Sequence, residues 1–325
     1  MSINPRMRAL LALIAALALA FTVAACGDDD DDDDGGEAAA GLIEENPDNN
    51  GVQITVGSKN FTEQIVLGEI YAQALEAAGY DVSTDLNLGD ETVALKALES
   101  GEVDAYPEYT STALTSFFDF APEDVPADAQ AAFDETTDDF EQLGLVAYPP
   151  TPFSSANAVG LLTETADELG ATTISDLEGQ SEDLTLYGSP ECRQRIDCLV
   201  GLEDNYGLQF KEFVPVDIGL RYEVLDKGDA DLSILFTTDA QLFTDPDTYT
   251  ILEDDQGVLP AGNVLFVARQ ETADEAGEDF GATIEAVQEN LTLEVMQELN
   301  ARVDVDREKE TAVAHDYLVE FGYVE

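Results

Sequence analysis

Val52-Gln53-Ile54-Thr55-Val56-Gly57-Ser58-Lys59-Asn60-Phe61-Thr62-Glu63-Gln64 is the stretch from which the fold is read. Residues 52–56 are β-rich and end at a glycine, and a turn carrying a lysine follows. From residue 62 to 78 the apolar positions fall at helical spacing. Ile65, Val66, Ile70, Ala74 and Leu75 share one face, and Gly79 stops the helix. The order strand, turn, helix then repeats. The pattern predicts a strand at 82–86, a helix at 92–99, a strand at 103–106, and helices at 110–118 and 128–143. This alternation is that of α/β layers around a largely parallel sheet.

Tyr148-Pro149-Pro150-Thr151-Pro152 interrupts the pattern. Beyond it the alternation resumes: strand 157–162, short helix 175–178, strand 184–187, helical 192–206, strand 212–216, helix 219–227, strand 232–236. Leu259-Pro260-Ala261-Gly262 is a second break, before a last strand at 263–268 and helical stretches near 279–289, 292–301 and 306–320. Two breaks imply that the chain leaves one lobe, builds another and returns. Lobes of this kind hinge about a ligand in the cleft between them. There is no internal repeat.

The N-terminus sets the compartment. Arg6 and Arg8 precede an apolar run at 9–25 that ends in small residues before Cys26, the layout of a secretory signal peptide. Residues 28–34 are seven aspartates, whose mutual repulsion keeps a segment extended and solvated. The domain reading is therefore a signal peptide at 1–25, an acidic disordered tether at 26–50, and a body long enough for two cores. The formal charge is −57, from 70 acidic and 13 basic residues. Such a surface repels nucleic acid. In an oxidising compartment Cys192 and Cys198 are expected to form a disulfide. The alternative is a metal site, but no histidine or further cysteine lies near. The one histidine, His315, falls in a helical pattern and reads as a surface or satisfied helix residue.

Catalytic signatures are missing. There is no Gly-x-Ser-x-Gly, no phosphate-binding loop, no dinucleotide fingerprint and no His-Glu-x-x-His. One histidine leaves little material for acid–base chemistry, so no enzyme and no cofactor are expected. Two turns stand out instead, one in 57–64 and one in Gly101-Glu102-Val103-Asp104-Ala105-Tyr106-Pro107-Glu108-Tyr109-Thr110-Ser111-Thr112. Both run from a strand into a helix, where open α/β sheets bind ligands. Backbone N–H groups at such turns favour anions, and Lys59 adds a charge.

These segments, with Gly219-Leu220-Arg221-Tyr222-Glu223 and Leu252-Glu253-Asp254-Asp255, resemble the osmoprotectant-binding proteins of ABC importers, which take up glycine betaine, choline and carnitine. Val23-Ala24-Ala25-Cys26-Gly27 likewise resembles the lipobox of bacterial lipoproteins, which implies a lipid on the Cys26 thiol and an extracytoplasmic, membrane-anchored protein. The first resemblance spans roughly 52–325. It implies a type II periplasmic-binding-protein fold, with lobe one at 52–153 plus 260–325 and lobe two at 154–259, and partnership with an ABC permease and its ATPase. The protein itself is expected to be a monomer.

The resemblance also implies a ligand site in two halves. Lys59, Thr112 and Arg195 match the residues that grip a carboxylate, arginine as a planar fork and lysine as a point charge. A quaternary ammonium has no N–H to donate, so aromatic faces hold it. Tyr109 matches one ring of the cage, and Phe236 stands where a second is expected. The other two positions align near Asn157 and Gly262, which have no ring. Tyr106, Phe153 and Tyr222 are the candidates to compensate, with core or rim positions as the alternative for each. The implied solute is a zwitterion resembling glycine betaine. Ergothioneine, an amino-acid-like solute, or a solute-sensing module without transport are the alternatives.

Overall fold

The computed structural model describes residues 41–325. The expected signal peptide, Cys26 and the aspartate run lie outside the described residues. The first lobe opens with β1 (Gln53–Gly57), α1 (Thr62–Ala77), β2 (Asp81–Asp85), α2 (Glu91–Ser100), β3 (Ala105–Tyr109), α3 (Thr110–Ser116), α4 (Ala129–Gln142) and β4 (Leu145–Ala147). The chain then passes through β5 (Ser154–Ser155) to β6 (Asn157–Leu162), α5 (Thr163–Leu169), β7 (Thr185–Gly188), α6 (Leu199–Asp204), β8 (Glu212–Pro215), α7 (Arg221–Asp226), β9 (Leu232–Phe236), α8 (Ala240–Thr244) and β10 (Tyr249–Ile251). It returns along β11 (Gly262–Arg269) to α9 (Gln270–Ala276), α10 (Glu278–Gln288), α11 (Leu293–Asp304) and α12 (Glu310–Glu320).

Two sheets result. The first has the order β2-β1-β3-β11-β4, with β5 also paired to β11, and the second has the order β10-β6-β9-β7-β8. Neither is largely parallel, and here the sequence expectation is corrected. β1 runs parallel to β2 and β3, and β7 parallel to β8 and β9. β11 is antiparallel to β3, β4 and β5, and β6 is antiparallel to β9 and β10. A parallel pair needs a local crossover, usually helical. β6 and β11 are the strands by which the chain arrives from the other lobe, so they enter without one.

Each sheet is covered on both faces, as its side-chain alternation requires. On β11, Val264, Phe266 and Ala268 join a core with Ile70, Leu75 and Tyr317, while Leu265 and Val267 face Leu98, Tyr106 and Phe140. On β9, Leu232 and Ile234 pack with Val159 and Leu202, while Leu235 meets Tyr222 and Tyr249 on the other side.

Local signals set the turns that aim the sheets at the cleft. The Asp90 side chain caps α2 by accepting from the Val93 N–H (2.9 Å). Gly101 ends that helix at φ +75°, a conformation that suits glycine. The helical reading of 192–206 breaks into a 3-10 turn at Pro190–Gln194 and the short α6, because the chain between Cys192 and Cys198 is looped by their disulfide. Residues near the end of the expected tether are packed: Ile43 N–H donates to the Tyr323 carbonyl (2.8 Å) and Asn46 N–H to that of Ala78 (3.0 Å). His315 is exposed on α12. Among the described residues no helix is long and apolar enough to cross a membrane.

Candidate functional site

The six side chains singled out from the sequence, Lys59, Tyr109, Thr112, Asn157, Arg195 and Phe236, all line one cavity between the two sheets. Its free volume is about 60 Å³. That is room for roughly four to six waters, or one small organic solute.

The aromatic part is larger than the sequence suggested. Phe61 lines the cavity with Tyr109 and Phe236. Its ring stacks on Tyr109 with centroids 6.3 Å apart and lies 5.2 Å from Phe236. The proposed substitutes are elsewhere. Tyr106 and Phe153 are buried in the cores of the first lobe, and Tyr222 packs on Tyr249 with its hydroxyl donating to Asp239. Gly262 has no access to the cavity wall. A Cβ there would meet Ser111 Oγ and, at 2.6 Å, Ser111 N, so β11 can approach α3 only without a side chain. Asn157 is on the wall, but its amide donates to the Asp197 carbonyl (2.9 Å) and holds the Arg195 loop.

Phe236 is fixed by Arg221, which the sequence flagged as motif without assigning a role, and by Asp239, which it did not flag. The Arg221 guanidinium lies 4.0 Å from its ring centroid, and its Nη2 donates to both carboxylate oxygens of Asp239, at 2.8 and 3.0 Å. Asp239 in turn accepts the Phe236 N–H (2.8 Å). Asp254 plays a similar part at the second crossing, accepting the N–H groups of Val258 (3.0 Å) and Leu259 (2.6 Å).

Both cations at the cavity have partners inside the protein. Lys59 Nζ is paired with Glu108, which also accepts from the Tyr106 hydroxyl (2.9 Å) and the Tyr109 N–H (2.7 Å). Lys59 also lies 4.5 Å from the Tyr109 ring centroid. Arg195 donates through Nε to Asp197 Oδ1 (2.7 Å) and through Nη2 to Asp197 Oδ2, and its Nη1 lies 3.5 Å from Glu91. Burial alone would lower the Arg195 pKa, but the Asp197 and Glu91 carboxylates outweigh it and raise it. Lysine has three donors and arginine five, so these pairings leave N–H groups over. Asp90, Glu91, Glu191 and Asp197 share the wall with Lys59 and Arg195. Carboxylates therefore outnumber cations, which disfavours a solute of net negative charge.

A buried network links the rings to the far lobe. The Tyr109 hydroxyl donates to Glu63 Oε1 (2.6 Å), and Asn300 Nδ2 donates to Glu63 Oε2 and to the Thr238 carbonyl, both at 3.0 Å. Burial pushes the Glu63 pKa up. Among the described residues no His/Cys/Asp/Glu group could hold a metal ion.

The comparisons agree with this geometry. Residues 52–320 match the family described as the substrate-binding domain of ABC-type glycine betaine transport systems. The chain is 33% identical over 278 residues to a glycine-betaine-binding protein of Pseudomonas aeruginosa, covering 82% of this chain and 87% of that protein. It is 28% identical to an ergothioneine transport permease/ergothioneine-binding protein of Helicobacter pylori, covering 86% of this chain and 48% of that protein. A crystal structure described as a glycine betaine/carnitine/choline ABC transporter superposes with a TM-score of 0.65 at 24% identity, over 82% of this chain and 99% of that one. These relatives are solute-binding components rather than enzymes. The chain belongs to the substrate-binding proteins of osmoprotectant ABC importers, with the type II periplasmic-binding-protein fold.

Proposed function

We propose that the protein captures a small zwitterion carrying a quaternary or similarly alkylated ammonium group, and that it works from the membrane surface through a lipid on Cys26. The observation that carries the reading is the sharing of one wall by three aromatic rings and two cations. Phe61, Tyr109 and Phe236 offer faces to the cationic end. The remaining N–H groups of Lys59 and Arg195, with the Thr112 hydroxyl, receive the carboxylate. Asp197 and Glu108 hold the two cations in place and offset their charge. The site thus selects by hydrogen-bond geometry rather than by net positive charge. The closed form delivers the solute to a permease and its ATPase.

The test is a thermal-shift screen with glycine betaine, carnitine, ergothioneine, choline and common amino acids, repeated on Arg195→Ala. Stabilisation by a carboxylate-bearing quaternary amine, lost in the variant, is expected. Stabilisation by choline with none by any carboxylate solute would refute the assignment of the anion half. For the anchor, mass spectrometry of the membrane fraction should find a diacylglycerol on Cys26, and Cys26→Ala should release the protein.

A further inference from the structure

One carboxylate on the cavity wall is left over from the pairing just described. Glu91, the first residue of α2, is buried at 7% exposure, and its side chain faces the cavity. Its one ion pair among the described residues is the 3.5 Å approach to Arg195 Nη1, longer than an ordinary hydrogen bond. Arg195 has no need of it, because Asp197 already takes a forked pair of donors from the guanidinium. The neighbouring wall acids are placed differently. Asp90 is occupied in capping α2, and Asp90 and Glu191 are only half-buried.

A solute that puts its own carboxylate on Arg195 brings it close to Glu91. If the solute offers no donor there, two carboxylates face each other with no hydrogen bond between them. A hydroxyl or N–H on the solute, placed beside its carboxylate, removes that penalty.

Building on the zwitterion reading above, we infer that Glu91 is a specificity-determining residue, accepting a hydrogen bond from a hydroxyl or N–H that the solute carries next to its carboxylate. The cavity therefore prefers a hydroxylated or N–H-bearing zwitterion to one that presents only a carboxylate and a methylated ammonium.

Carnitine and deoxycarnitine form the matched probes, since they share the ammonium group, the carboxylate and the chain length and differ by one hydroxyl. Titration calorimetry on the full-length protein should give carnitine roughly ten-fold tighter binding or more, the value of a hydrogen bond to a charged group. Glu91→Ala should bring the ratio near one, mainly by weakening carnitine. Glu91→Gln, which keeps an acceptor oxygen, should restore part of it. The thermal midpoint of each variant controls for folding, and a purely structural role would weaken both probes alike. An unchanged ratio in Glu91→Ala overturns the inference, as does a wild type that prefers deoxycarnitine or takes glycine betaine but neither probe. A wild type that binds no carboxylate zwitterion at all removes the underlying reading, and this inference with it.

Discussion

Phe61 gives the sharpest test of how the cationic end is held. Its ring is half-buried, lines the cavity, and lies 6.3 Å from the Tyr109 ring and 5.2 Å from that of Phe236. Phe61→Leu keeps most of the apolar volume and removes the ring. A cation on an aromatic face is worth about 0.5–2 kcal/mol, so the affinity for a quaternary ammonium solute should fall by about 2- to 30-fold. Two ring–ring contacts also go, at about 0.5–1.5 kcal/mol each, so the unliganded protein should melt at a lower temperature. Calorimetry with glycine betaine reads the first effect and a ligand-free melt the second. The ratio of affinities for glycine betaine and an uncharged isostere separates ring electrostatics from simple packing. If Phe61→Leu binds glycine betaine as tightly as the wild type while melting lower, Phe61 is structural and the cage has only two rings.

Two other outcomes are expected. Burial raises the Glu63 pKa above its usual 4.5, so the folded state holds a proton that the unfolded chain releases; the resulting stability is complete below pH 4.5 and is lost as pH rises through the folded value. Chemical denaturation from pH 4.5 upward should show the wild type losing stability relative to Glu63→Gln, and a constant difference between the two would refute the raised pKa. Reducing the Cys192–Cys198 bridge, whose residues are six apart, should cost about 2 kcal/mol from loop entropy; it should also weaken solute binding, because Arg195 sits on the closed loop, and unchanged affinity after reduction would separate the bridge from the site.

Much of this was legible in the sequence, for identifiable reasons. The strands at 157–162 and 232–236 were legible with their observed ends, because they are mostly apolar stretches between breaks. β4 and β10 have three residues each, too few to show a period, and both were missed. Phe61 carries no mark of its role in the sequence, since an aromatic just before a helix looks like helix start. Yet Phe61 and Tyr109 both occupy N-cap positions without a side-chain cap bond. Caps favour Ser, Thr, Asp and Asn, and a ring in such a place breaks a local rule, as functional positions often do. The counter-ions were invisible for a different reason. With 70 acidic residues in the chain, nothing marks Glu108 or Glu91 as neighbours of Lys59 and Arg195 until tertiary structure brings them together.

The first lobe is assembled from both ends of the chain. α12 lies on α1, with Thr311 donating to Glu69 (3.0 Å) and accepting through its carbonyl from Gln73 (3.0 Å), and Tyr317 and Tyr323 complete the core begun by Ile54 and Val56. The second sheet, by contrast, draws all its strands from one continuous stretch. Contacts so distant in sequence form slowly, because a long loop must close before they stabilise anything. Refolding should accordingly be sequential: β6 to β10 acquire hydrogen-exchange protection early, and β1 and α1 only after the last helix has docked. Until that moment the rings at Phe61 and Tyr109 have no rigid support, so the capacity to bind solute should be the last property the folding chain acquires.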